Sequence, residues 1–227
     1  MTHEIKKGKK SVVRNATVVA FFTAISRVFG LLRDLVTFHY FGVSMLTDAF
    51  FIAFTIPNML RRFVAEGALT VAFIPIYSEV KKQKGKEEAI KFFKAILGLL
   101  LIVVILLTVV GVFFAKYWVI ALASGFSFST EKFELTVLLT RYLFPYIIFI
   151  SLVALSMGVL NANKHFAIPA ASPVLLNISM IFMVIVFHSF FENPIFALVY
   201  GVLLGGMLQL LLQVPILLKK NLLAYHL

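Results

Sequence analysis

Two arginines and an aspartate, Arg27, Arg33 and Asp34, stand in the segment Ser-Arg-Val-Phe-Gly-Leu-Leu-Arg-Asp (residues 26–34) of an otherwise apolar stretch. A guanidinium stays charged at any physiological pH and donates a planar fork of hydrogen bonds, so its natural counterpart is a carboxylate or a phosphate. On a helix at about 100° per residue, Asn15, Thr23, Ser26, Arg27, Gly30, Arg33, Asp34 and Thr37 share an arc of roughly 120°. Val18, Phe21, Phe22, Ile25 and Leu32 lie outside it. An ionised side chain facing hydrocarbon costs several kcal/mol, so the stripe predicts a polar cavity.

A second stretch repeats the anomaly. Arg61 and Arg62 follow Pro57, and Glu66 lies four residues after Arg62 on the same helical face, a spacing that suits a salt bridge. Arg61 then points about 100° away, with no local partner. In the first stretch Arg33 neighbours Asp34 and Arg27 lies on the same face, so one carboxylate is offered to two cations. Arginine in excess of local carboxylate implies an anion from outside the chain, and a multiply charged phosphate satisfies several guanidinium groups at once. For Arg62 and Arg141, near span ends, snorkelling to the interface is an equally good reading. Asp48 stands at a span start, where a helix-capping role competes with substrate contact. Asn161, Asn177, Gln209 and Gln213 read as helix-packing or turn residues.

The elements that must position these groups are membrane helices. Of the 227 residues 61% are hydrophobic and 14% charged, and the mean hydropathy is +1.01, far from a soluble globular domain. Ala95–Ala115 and Pro194–Leu218 carry no charge and are long enough to cross a core of about 30 Å as helices. Cysteine is absent, which removes disulfides, thiol catalysis and thiolate metal sites, and the five histidines are scattered at no ligand-like spacing. Neither a metal site nor a catalytic triad is expected. The net charge of +11 lies mostly in lysines beside the hydrophobic spans, a topology signal and not a nucleic-acid surface.

In chain order, a basic tail (residues 1–11) precedes a lobe over 12–220 with spans near 12–38, 48–78, 92–117, 133–160, 167–187 and 194–218, and a cytoplasmic end at 221–227. The second span is expected to be bent or broken at Pro57, Gly67 and Pro75. Lys81–Lys94 reads as the most basic loop and is placed in the cytoplasm, with Tyr117 and Trp118 as interfacial anchors at the far end of the third span. Only Lys116 and Lys132 fall on the outer side, so both termini are expected in the cytoplasm. The fold class is an all-α integral membrane bundle of six transmembrane helices.

The motifs at 26–34, Phe41-Gly42, Asp48-Ala49-Phe50, Ile56-Pro57-Asn58-Met59-Leu60-Arg61-Arg62-Phe63-Val64-Ala65-Glu66-Gly67-Ala68 and Ala72-Phe73-Ile74-Pro75 resemble the MurJ (MviN) family of lipid II flippases. Gly158-Val159-Leu160-Asn161, Phe166-Ala167-Ile168-Pro169-Ala170 and Pro173-Val174-Leu175-Leu176-Asn177-Ile178 carry the same resemblance. It implies a bacterial inner-membrane transporter, not an enzyme, of the superfamily that includes multidrug and polysaccharide-lipid exporters. Such a protein moves an undecaprenyl-pyrophosphate-linked peptidoglycan precursor to the outer leaflet by alternating access between two helical lobes. Positions matching Arg27, Arg33 and Arg61 line the central cavity and address the pyrophosphate. Those matching Ser26, Asp34, Asp48, Arg62 and Glu66 support or gate it.

Family members have about fourteen helices in two repeated lobes, and six are read here. The resemblance therefore implies the N-terminal lobe, whose partners are membrane lipid, the lipid-linked glycan and a C-terminal lobe. Coupling to the membrane potential or to a monovalent cation is expected to run through that second lobe, with no cofactor in this one. Export of another polyprenyl-pyrophosphate glycan, and a non-transporting membrane scaffold, are the competing readings.

Overall fold

A computed structural model describes residues 2–61, 63, 72–123 and 131–222, with side chains given except at 2–12, 60 and 61. Every regular element among them is helical: α1 (Thr2–Phe41), α2 (Met45–Arg61), α3 (Ile74–Phe113), α4 (Ala115–Leu122), α5 (Glu131–Leu143), α6 (Tyr146–Ala162), α7 (Ala167–Phe187), a 3-10 turn (His188–Phe190) and α8 (Phe196–Lys219). The helices α1, α3, α7 and α8 are each long and apolar enough to cross a membrane. The pair α5 and α6 passes that test jointly, bent by 42° where Pro145 lacks the donor that would continue the ladder. The shorter apolar helix Met45–Met59 completes six membrane elements.

Two of these helices outrun the bilayer. At 40 residues α1 is about 60 Å long, twice the hydrocarbon thickness, and in α3, two helical runs joined by a kink at Gly85, the run after Gly85 alone exceeds the roughly 30 Å core. The basic segment at residues 2–11 is accordingly helical, continuous with the first span. Lys81–Lys94, expected as a loop, is helical too, and α3 already starts at Ile74, inside the stretch assigned to the second span. The helix persists because carboxylates alternate with the lysines at helical spacing. Gln83 donates to Glu79 (2.8 Å), and Lys91 pairs with Glu88 (2.7 Å). Gly85 alone breaks the run, at φ 90° and ψ 178°, in a region that favours glycine.

The core lies where α2, the bent α5–α6 pair, α7 and α8 meet, around Phe50, Leu139, Leu143, Tyr146, Met180 and Val202. A second cluster, with Phe73, Tyr77, Phe93, Leu155, Leu160 and Leu217, closes the lysine-rich end of α3 against α6 and α8. There Lys81 Nζ donates to Asn163 Oδ1 (2.6 Å) and Lys86 Nζ to the Lys220 carbonyl (3.0 Å). The opposite half of α3 exposes Leu99, Ile102, Leu106, Val110 and Phe113, a surface suited to lipid.

Helices α7 and α8 approach most closely at two glycines. A Cβ on Gly201 would lie 2.8 Å from the Met180 Cα, and one on Gly205 would lie 2.9 Å from the Leu176 Cα. Ser179 Oγ donates across this seam to the Gly201 carbonyl (2.8 Å), and Gln209 and Gln213 donate to the Ser172 carbonyl and hydroxyl (3.0 and 3.3 Å). Small residues with buried polar bridges are how helices associate in lipid, where apolar burial gives no net drive. Gly201→Val is expected to destabilise the protein by about 1–3 kcal/mol through overpacking. An unchanged thermal midpoint in detergent would reject that close contact.

The turn after α6 adds a pH response. Partial burial, together with the nearby Lys220 ammonium, pushes the His165 imidazole below its ordinary value of 6.5. The unfolded chain therefore binds more protons at this site than the folded one as pH falls through 6.5 and below. Stability is expected to drop over that window, and His165→Asn should flatten the drop, read from thermal midpoints between about pH 5 and 8.

Candidate functional site

The polar stripe of α1 is divided between a helix contact and an open face. Ser26, Gly30 and Arg33 recur on the side of α1 that packs on α7. Arg33 Nη2 and Nε donate to Asp34 Oδ1 at 2.7 and 3.0 Å, and its Nη1 donates to Asn177 Oδ1 of α7 at 3.2 Å. Asn177 completes the junction by donating through Nδ2 to the Ser26 carbonyl at 3.2 Å. Asn177 is buried and the Arg33 side chain 22% exposed, so these bonds form in a partly desolvated seam where charge-assisted pairs are strong. The Asp34 side chain is 41% exposed.

Arg27 occupies that open face. Its side chain is exposed, and among the described residues it has no hydrogen-bond or ion-pair partner. Asp34 thus serves Arg33 alone; the expectation that one carboxylate would be offered to both arginines is corrected. One α1 turn from Arg33 on the other side, Thr37 is buried (2% exposed), which leaves Arg27 and Asp34 as the accessible charges of the stripe.

Asp48 lies elsewhere. It falls within the first turn of α2 and not at its cap; Thr47 accepts the Ser44 amide there (3.0 Å). The Asp48 carboxylate receives Lys132 Nζ of α5 at 2.6 Å, at the end of the lobe remote from the lysine-rich segment. The pair ties the starts of two helices and does not touch the Arg33 junction. Arg61 closes α2, its side chain outside the described ones, and Arg62 and Glu66 lie outside the described residues altogether.

A family model described as Lipid II flippase MurJ matches residues 37–226. The chain belongs to that MurJ family. It is 44% identical over 205 residues to a probable lipid II flippase MurJ of Buchnera aphidicola subsp. Acyrthosiphon pisum, covering 90% of this chain and 40% of the relative. It is 43% identical over 205 residues to the lipid II flippase MurJ of Burkholderia cenocepacia, with the same coverages. A solved structure, lipid II flippase MurJ in an inward closed conformation, superposes with a TM-score of 0.75 at 33% identity, over 89% of this chain and 42% of that one. The chain therefore spans about two fifths of the length of its MurJ relatives, and the all-α lobe of six membrane elements is a MurJ fold.

Within this MurJ lobe, sequence reasoning missed Asn177 as part of the site. Its residue type reads as helix packing, which it does perform, but its carboxamide also holds Arg33. Its residue type in the apolar α7 was the available signal; the partner sits 144 positions away and only the fold reveals it. Asn177→Leu keeps the branched shape but removes the second hydrogen bond of the Ser26 carbonyl and strands one Arg33 donor. A loss of about 1–3 kcal/mol is expected, measured as a lower thermal midpoint. A midpoint within error of the parent would mean that the junction does not hold α1.

Proposed function

We propose that this chain forms the N-terminal lobe of a lipid II flippase, moving an undecaprenyl-pyrophosphate-linked peptidoglycan precursor across a bacterial inner membrane by alternating access. The observation that carries the reading is Arg27, exposed and without a partner among the described residues, on the same helix as an Arg33 already held in place. A fixed guanidinium and a free one, with Asp34 between them, form a preorganised half-clamp for a pyrophosphate. Arg61, on α2, is assigned to the same anion, with Ser26, Asp34, Asp48, Arg62 and Glu66 in supporting or gating roles. The relatives it resembles at 43–44% identity, described as lipid II flippases, support the substrate.

Transport of this kind makes and breaks no bonds. It requires only that the substrate bind two cavity states differently, and an arginine clamp that opens to either side provides this. The lysine-rich end is placed in the cytoplasm, where positively charged flanks are retained, so both ends of this chain face inward. A second lobe completes the cavity and couples it to the membrane potential or a monovalent cation.

In the full-length protein, Arg27→Ala, Arg33→Ala and Arg61→Ala are each expected to weaken pyrophosphate binding about 10- to 100-fold, the value of one hydrogen bond to a charged group, and to stop precursor export. Arg27→Lys should retain part of the activity, since it keeps the charge and loses the fork. Export at the parent rate in all three alanine variants, measured as precursor arriving at the outer leaflet, sinks the assignment.

A further inference from the structure

A second group of charges lies far from the α1 stripe. Between α4 and α5 a cavity of about 360 Å³ is lined by Lys116, Phe133, Glu134, Val137, Leu138 and Arg141. Among the described residues, Lys116, Glu134 and Arg141 have no hydrogen-bond or ion-pair partner. Glu134, Leu138 and Arg141 recur at helical spacing on one face of α5, and Lys116 comes from the first turn of α4.

The depth of this cavity follows from its walls. Lys116 comes three residues after the end of the apolar α3, beside Phe114, Tyr117 and Trp118, whose exposed rings mark the level of a membrane interface. Arg141 lies ten residues into α5 yet shares the cavity with Lys116, so it stands at headgroup depth. Glu134 lies about 10 Å nearer the start of α5, on the side away from the hydrocarbon. Leu138 is exposed between them.

We propose that this cavity seats an amine-bearing phospholipid of the leaflet at that end, such as phosphatidylethanolamine. Lys116 and Arg141 hold its phosphodiester, and Glu134 receives its ammonium. The order of charges along α5 matches the order in the headgroup: the cations sit at phosphate depth, and the carboxylate lies farther out, where the amine projects. Val137 and Leu138 stand between the two charged levels, beside the carbons that join phosphate to amine. Two cations attract the phosphate of any phospholipid, and the carboxylate beside them offers the ammonium of an amine-bearing headgroup a partner that an anionic headgroup leaves unused.

The test is native mass spectrometry of the purified full-length protein with phosphatidylethanolamine or phosphatidylglycerol. The parent should retain the former preferentially. The double variant Lys116→Gln, Arg141→Gln should lose about tenfold or more of the retention of both lipids, and Glu134→Gln should lose only the preference. Arg141→Lys, which keeps the charge, should still bind and serves as the control for folding. Unaltered retention in the double variant overturns the site. Equal retention of the two lipids by the parent overturns the role of Glu134. Displacement of the lipid by millimolar inorganic phosphate would mean that a free anion, not a lipid, is the ligand.

Discussion

A guanidinium that cannot be neutralised, set into a helix surrounded by hydrocarbon, constrains everything near it. In this lobe the constraint is met by one side chain from a distant element: Asn177 of α7 accepts from Arg33 and donates to the Ser26 carbonyl, while Asp34 supplies the counter-charge. The cost of leaving any of these groups unmatched in a partly dry seam is what gives α1 its rotational setting on α7. That setting, in turn, decides which charges of the stripe face outward.

The consequence is a division of labour among residues that look equivalent in the chain. Arg27 and Arg33 are the same residue type, six positions apart, yet Arg33 is held by Asp34 and Asn177 while Arg27 is exposed and without a partner among the described residues. Asp34 is tied to Arg33 through one oxygen and is itself partly exposed. A helix face built this way presents free charge beside charge that is tied down.

Much of the architecture could be read from the chain itself, since spans of apolar residues and their lysine flanks are dictated by the membrane as solvent. The stretch assigned to the fifth span and α7 cover the same residues. The errors have physical causes. Lysine density marks a water-facing segment but says nothing of its backbone, and the glutamates interleaved at 79, 87 and 88 let Lys81–Lys94 stay helical. Helical phase gives the direction of the two stripe arginines but not their neighbours. Asn177 and the Lys132 partner of Asp48 come from elements remote in sequence, where no local pattern points to them.

The break at Gly85 has a consequence for how the lysine-rich end is fastened. On an unbroken helix Lys81 and Lys86 would project about 140° apart and could not both face the bundle. Gly85 lies between them, and its positive φ resets the helical phase, so that Lys81 reaches the last turn of α6 at Asn163 while Lys86 reaches the last turn of α8 at the Lys220 carbonyl. A single glycine thus converts a water-facing lysine ladder into a two-pronged staple. The ends of α6 and α8 are joined to each other through α3 without sharing a hydrogen bond of their own at that point.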